Sequence, residues 1–382
     1  MKPNITIERL FEGRPLISPT DRWWESGVTF NAAAVYLEPI ERNLRALEAL
    51  LGEKDFGNYP DGVVALHYRA RPKEDPGRPW SRSYVGVSVH NPDLTPIKRF
   101  EAPVLEPGGT VHDADTQGVE DPRITWFEGR WWMVYCGVSL TGDSDPEKAW
   151  IGTVCIAWSD DLVVWTKVGP IMGDGENFAM ASRLAETSNK DGVLLPDRIN
   201  GKVVLLHRPM KGPIHSWGTS IAIADDPEGP YEDLGCVHAA ASSEGCIHSW
   251  AGAGSVPIHI DGGVYLSIEH TGNYVTDRER KYVLDAFLYD FKNWDPARPE
   301  TLISARFDDF MRPETDFEVY GPFPESVANV VFVCGSYVHD GWLYMAYGGG
   351  DSFILAARLR LDHLLGSLLD LRVPRSEPLA LT

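Results

Sequence analysis

No run of eighteen apolar residues occurs anywhere in the 382-residue chain, so no membrane-spanning helix is expected. Basic residues are scarce and scattered: 35 lysines and arginines stand against 55 acids, for a formal charge of −20. No Lys/Arg cluster supplies the basic face that a nucleic-acid backbone or an anionic membrane requires, and the acidity reads as a solubility feature. Any anionic ligand would therefore need a local basic pocket. The five cysteines (Cys136, Cys155, Cys236, Cys246 and Cys334) are odd in number and lack CxxC spacing, which argues against both a disulfide framework and a zinc site. No HxxxH pair or paired-acid loop points to another metal, so no metal and no organic cofactor is expected. The first residues, Met1 to Ile5, hold no apolar signal core, which together with the thiols favours a cytoplasmic location. Helical periodicity is nearly absent: two minor helices are expected, at roughly Ile40–Leu51 and Leu361–Leu368.

What is present is a repeat. A glycine followed by an apolar, strand-forming run occurs five times, at Gly62–Tyr68, Gly129–Tyr135, Gly201–His207, Gly263–Glu269 and Gly341–Tyr347, with the glycines 67, 72, 62 and 78 residues apart. Each run has a strand-like segment before it and another after it, such as Ser83–His90 and Ile151–Ser159. The 36 glycines and 28 prolines are spread along the chain as turn residues. Three strands rich in Val, Ile and aromatics make a small antiparallel sheet. One such sheet cannot bury both its faces, whereas five packed radially can. The expectation is an all-β protein, a single-domain, five-bladed β-propeller over 1–382, with blades at about 31–100, 118–170, 189–236, 250–295 and 327–365.

In a propeller the innermost strands converge on the axis, so the first strand of each unit is where chemistry is expected. Those strands supply Asn31, then Glu120, Asp121 and Arg123, then Lys190 and Asp191, then Ser255 with His259, and lastly Asn329. Charged groups inside apolar strand runs are costly unless paired or functional. The Glu120-Asp121-Pro122-Arg123 run stands out: a rigidly held carboxylic acid in a partly enclosed site can protonate a glycosidic oxygen. An equally good reading of the tetrapeptide alone is a turn whose acid caps amides and whose arginine pairs with an acid.

At these residues the chain resembles glycoside hydrolase family 130, the β-mannoside phosphorylases and related β-mannosidases. The resemblance runs from about Asn31 to Leu365. It is carried in order by Gly118–Ile124, Asn189–Pro196, Ile199–Pro209, Gly252–Gly254, Tyr320-Gly321, Asn329–Gly335 and Tyr347–Asp351. It implies a five-bladed propeller and an inverting reaction on a β-linked mannoside in a small oligosaccharide. Asp121 matches the family's proton donor, which in the phosphorylases works through a sugar hydroxyl. Arg123, Asp191, His207, Arg208, His270 and Asp351 fall on motif positions lining the sugar and anion pocket, with Asn31, Arg69 and Glu120 as further substrate-binding candidates.

Inversion needs a nucleophile on the face opposite the leaving group. Inorganic phosphate, as co-substrate, needs only cations to hold it. Lys190 and Arg208 are the phosphate-binding candidates, with Lys167 and Arg69 behind them. Water would need a second carboxylate roughly 6.5–9.5 Å from the acid, for which Glu244 and Glu269 are the candidates. Two features depart from the phosphorylase pattern. Trp150–Ser159 carries no arginine where phosphorylases usually show one, and the Ser81–Ser83 segment is slightly out of register. Phosphorolysis is therefore the first expectation, with an inverting β-mannosidase as its alternative and a non-catalytic sugar-binding propeller as a third reading. Trp217 and Trp250 are candidate sugar-stacking platforms. Self-association through exposed terminal segments such as Met1–Pro19 is left open.

Overall fold

The computed structural model describes residues 5–75, 81–144, 148–240, 245–276, 278–323 and 326–373. Its strands form five separate antiparallel sheets, the blades of a five-bladed propeller. Blade one consists of Val28–Leu37, Val63–Arg71, Tyr84–His90 and Pro96–Arg99. Blade two consists of Gly118–Phe127, Arg130–Leu140, Trp150–Ser159 and Thr166–Pro170. Blade three consists of Asn189–Leu194, Val203–Pro209, Gly218–Ala224 and Glu232–Ala239. Blade four has its inner strand in two pieces, His248–Ala253 and Ile258–Asp261, followed by Val264–Tyr274, Arg280–Asp290 and Ile303–Met311. Blade five takes Val331–His339, Trp342–Gly349 and Phe353–Arg360 from the end of the chain, and Glu8–Arg9 from its beginning.

Two expectations need correction. The repeat predicts three strands per unit, but each blade has a fourth, outer strand. The segment before Pro19 was assigned to an exposed terminus, yet Glu8 and Arg9 pair with Arg358 and Ala357 and complete blade five. Arg9 also reaches the buried Glu318 carboxylate, with 2.8 Å between Arg9 Nε and Glu318 Oε1. The two expected helices run Leu44–Leu51 and Leu361–Asp370, and a short third one spans Asp316–Val319. Among the described residues no helix is long and apolar enough to cross a membrane.

Both faces of each blade are buried, so the strands read as near-continuous apolar runs rather than alternating ones. The core is divided accordingly into layers, each shared by two neighbouring blades. Val35, Ala65 and Val87 of blade one pack with Met133, Tyr135 and Ala157 of blade two. Val134 and Ile156 meet Leu194 and Leu205, and Val193 and Leu206 meet Tyr265 and Phe287. Leu266 and Ile268 meet Val333 and Met345. Ala346 and Ala356 return to Ala32 and Leu66, closing the ring.

The inner strands also carry the device that builds the centre. Ladder pairing slips between Phe30 and Ala32, between Glu120 and Arg123, and between Lys190 and Val193. At each slip one residue adopts left-handed backbone: Asn31 at φ 50°, Asp121 at φ 50° and Asp191 at φ 53°. Asn and Asp tolerate that conformation better than other side-chain-bearing residues, and a bulge re-aims the side chain it contains. The three polar residues at the bulges are the ones that line the central cavity.

Candidate active site

The axis ends in a cavity of about 160 Å³, lined by Phe30, Asn31, Arg69, Asp121, Lys190, Asp191, Arg208, Tyr282, Phe332 and Asp351. Asp121 sits among donors. Asn31 Nδ2 donates to its Oδ1 at 2.8 Å, and Arg69 Nη1 lies 3.3 Å from the same oxygen. Arg69 also pairs with Glu120 and donates through Nε to Ser83 Oγ at 3.0 Å. The Ser83 hydroxyl in turn donates to Glu120 Oε1 at 3.1 Å. Glu120 thus braces the arginine that faces Asp121. Burial by itself raises the Asp121 pKa, but Arg69, Arg123, the Asn31 amide and Lys190 outweigh it and hold the carboxyl below its usual value. Asp121 is therefore ionised in the free enzyme at neutral pH.

Asp191 anchors the other wall. Arg208 Nη1 lies 3.1 Å from Asp191 Oδ2, and His270 Nε2 lies 3.4 Å from the same oxygen. Burial opposes ionisation, but Arg208, His270 and Arg123 keep Asp191 far below the usual carboxylate range. His270 is pushed down by burial, with Arg208 and Arg123 adding to the effect against Asp191. Space for this pair is made by a missing side chain: a Cβ on Gly252 would lie 2.2 Å from Asp191 Oδ2 and 2.7 Å from His270 Nε2.

Lys190 is the loosest of the cavity cations. Its Nζ is 3.6 Å from Glu120 Oε2 and 4.6 Å from the centre of the Trp150 ring. Burial would pull its pKa down, but the Glu120 and Asp121 charges more than offset this, so it stays cationic. The lysine stem runs along Gly152, where a Cβ would come within 2.9 Å of Lys190 Cε. The blade-two strand that lacks the arginine of the phosphorylase pattern therefore gives its space to Lys190. Two buried polar atoms remain without a hydrogen-bond partner among the described residues on this wall, Arg208 Nε and Asn31 Oδ1. Unpaired buried groups are costly, and both belong to residues that line the cavity.

Asp351 follows three glycines, adopts φ 46° and lines the cavity. Burial pushes its carboxyl up to about 7, with Asp121 and Glu120 adding to the rise against Arg69 and Arg280. Arg123, expected to line the pocket, is not among the lining residues and is 1% exposed. It donates to the carbonyls of Asp121, Ala253 and Gly254 at 3.0 to 3.1 Å, and its Nη2 is 3.5 Å from Asp191 Oδ1.

Several sequence candidates lie elsewhere. His207 is fully buried within blade three, against the Phe178 ring and beside Asn189 and Asp233, and does not line the cavity. Glu269 is also fully buried, in blade four, accepting from Thr219, His238, Ser267 and Tyr289. No bound water could reach it from the cavity without breaking that cluster. Glu244 lies outside the described residues. Lys167 is tied to Asp115 Oδ2 at 2.6 Å, and Trp250 is packed over Gly272 between Tyr274 and Tyr282. Trp217 is half-buried and donates to the Gly212 carbonyl. Ser255 accepts from Ser336, His259 packs on Tyr265, and the Asn329 carbonyl accepts from Tyr282 N. Phe30, Tyr282 and Phe332 are lining residues that the sequence reading missed. Phe30 directly precedes a bulge residue, which was the available signal.

The site is an acid set among cations at the centre of a five-bladed propeller, and the comparisons give its family. Residues 95–369 match the glycoside hydrolase family 130 profile, described as β-1,4-mannooligosaccharide phosphorylase; the chain is an enzyme of that family. A 1,2-β-oligomannan phosphorylase from Thermoanaerobacter sp. (strain X514) is 28% identical over 94% of this chain and 99% of its own. A β-1,2-mannobiose phosphorylase from the same organism is 30% identical over 89% and 93%. Among solved structures, the β-1,2-mannobiose phosphorylase of Listeria innocua, in complex with β-1,2-mannobiose, superposes with a TM-score of 0.67. It is 22% identical, with 96% of this chain and 100% of that chain covered.

Proposed function

We propose that the protein phosphorolyses β-1,2-linked manno-oligosaccharides, releasing α-mannose 1-phosphate and an oligosaccharide one unit shorter. The supporting observation is the cation set around one acid: Arg69, Lys190 and Arg208 wall the same cavity as Asp121, and Arg208 Nε is still unpaired. The two nearly full-length relatives are both named for β-1,2 linkages, which supports that linkage here. Phosphate held by Lys190 and Arg208 attacks the anomeric carbon from the face opposite the leaving group. The glycosidic C–O bond breaks, a C–O bond to phosphate forms, and a proton passes from Asp121 through a sugar hydroxyl to the leaving oxygen. Asp121 is ionised in the free site, so it must gain that proton as the complex forms. Bound phosphate does this by neutralising the cations that keep the carboxyl charged. Asn31, Asp191 and Asp351 hold the terminal mannose, and His270, buried and off the cavity wall, braces Asp191. The free cysteines fit a reducing, cytoplasmic setting.

Product analysis tests this reading. With β-1,2- and β-1,4-mannobiose, mannose 1-phosphate is expected only when phosphate is present, and faster from the β-1,2 isomer. Free mannose at a phosphate-independent rate would establish hydrolysis instead.

The Asp351 carboxyl gives a pH signature. Its pKa is raised to about 7, so it is neutral below that pH and carries a negative charge above it. The added charge lies in the same cavity as Lys190 and Arg208, so KM for phosphate should climb as pH rises from 6 to 8. Asp351→Asn should flatten the part of that climb that phosphate's own titration does not cause. Parallel phosphate KM profiles for the two proteins would remove Asp351 from this role.

A further inference from the structure

A second concavity opens on the face that holds the central cavity. It is a groove of about 500 Å³ between blades one and five, whose lining includes Asp21, Ser26, Gly27, Lys73, Ser352 and Phe353. Its walls continue those of the cavity. Ser352 directly follows Asp351, and its carbonyl accepts from Thr29 N at 3.2 Å, one residue before Phe30. Gly27 N donates at 2.9 Å to the carbonyl of Arg71, two residues beyond Arg69. At full extension Phe353 lies at most about 7 Å along the chain from Asp351, and Lys73 at most about 14 Å from Arg69. The groove floor is tightly built: a Cβ on Gly27 would come within 2.8 Å of both the Arg71 carbonyl and the Phe323 ring.

The central cavity has about a third of the groove's volume. Pockets for drug-sized ligands run from roughly 300 to 1,000 Å³, so the cavity has room for about one sugar ring. The rest of any substrate must leave by the open face. The groove offers what a pyranose needs there. The Phe353 ring, part-exposed and braced edge-on by Phe317 at 5.2 Å, presents an apolar face. Lys73 and Asp21 are exposed on the groove wall, and among the described residues no ion pair engages Lys73.

We propose that this groove binds the leaving-group side of the substrate, the sugar units beyond the one held in the cavity, and so selects manno-oligosaccharides longer than the disaccharide. The inference rests on the phosphorolysis reading above. Phe353 stacks on the apolar face of a sugar ring, and Lys73 with Asp21 hydrogen-bonds its hydroxyls.

The test is kcat/KM for β-1,2-mannotriose relative to β-1,2-mannobiose at saturating phosphate, in wild type, Phe353→Ala and Lys73→Ala. Wild type should favour the trisaccharide about tenfold. Phe353→Ala should cut that ratio about three- to tenfold, on the order of an aromatic contact, and Lys73→Ala about threefold. Because Lys73 is exposed, its replacement reports even if Phe353→Ala folds poorly. Equal wild-type values for the two lengths, or a ratio unchanged in both variants, would overturn the proposal. If wild type shows no phosphate-dependent turnover, the phosphorolysis reading fails, and calorimetric titration of Asp121→Asn decides on the groove. Tighter trisaccharide than disaccharide binding, lost on adding Phe353→Ala or Lys73→Ala, sustains it; equal or absent binding of the two overturns it.

Discussion

Asp121→Asn should lower kcat for phosphorolysis by about 10²–10⁴-fold, the range that general acid catalysis contributes, while sugar binding changes little. The amide matches the carboxylate in size and can still accept from Asn31 Nδ2, which now reaches Asp121 Oδ1 at 2.8 Å. Arg69 loses one of two acidic partners but keeps Glu120, so no buried cation is stranded. What disappears is the transferable proton. The loss should therefore fall on kcat with activated and unactivated mannosides alike differing in degree: a good leaving group, needing little protonation, should lose least. Calorimetric titration with mannobiose should give an affinity within about threefold of wild type. A variant retaining more than a tenth of wild-type kcat on the natural disaccharide would show that the proton comes from elsewhere.

Arg123→Met should cost about 3–5 kcal/mol of stability, the range for breaking a buried ion pair from one side. The side chain is buried, and its five N–H donors serve three carbonyls and a carboxylate on blades two, three and four. Methionine fills much of the volume and supplies none of the donors. It leaves Asp191 with less cationic support, and the carbonyls of Ala253 and Gly254 without this partner. Arg123→Lys should recover only part of the loss, because a point charge with one stem cannot replicate the planar fork. Urea denaturation followed by tryptophan fluorescence would measure both. A change below about 1 kcal/mol in Arg123→Met would mean that the guanidinium does not tie these blades together.

The blade count was legible because the sequence repeats a turn glycine and an apolar strand, and burial on both faces makes the middle strands conspicuous. The outer strands were not legible. Pro96–Arg99 alternates between exposed and half-buried positions, and Glu8–Arg9 is only two residues long, so neither leaves an apolar signature. The bulge residues Asn31, Asp121 and Asp191 stood out as polar residues inside apolar runs. The misplacements have one cause. Successive side chains on a strand point to opposite faces, so His207 and Arg208, or Glu269 and His270, cannot both face the axis. Motif matching carried His207, Arg208 and His270 over without that choice, and the structure sets only Arg208 on the cavity wall, with His270 buried against Asp191. The aromatic lining residues Phe30, Tyr282 and Phe332 read as packing, because nothing in an apolar strand tells a cavity wall from a core.

The pairing of Glu8 with Arg358, 350 positions along the chain, bears on when the enzyme becomes competent. Closing so long a loop is entropically unfavourable until neighbouring blades have docked, so the clasp belongs late in folding. The cavity obeys the same order, because it draws Asn31 and Arg69 from blade one, Asp121 from blade two and Asp351 from blade five. A chain emerging from the ribosome can form its early blades in succession, yet no product that ends before Asp351 contains the whole reaction centre. Activity thus arrives with the final blade, and products truncated before it should be inert.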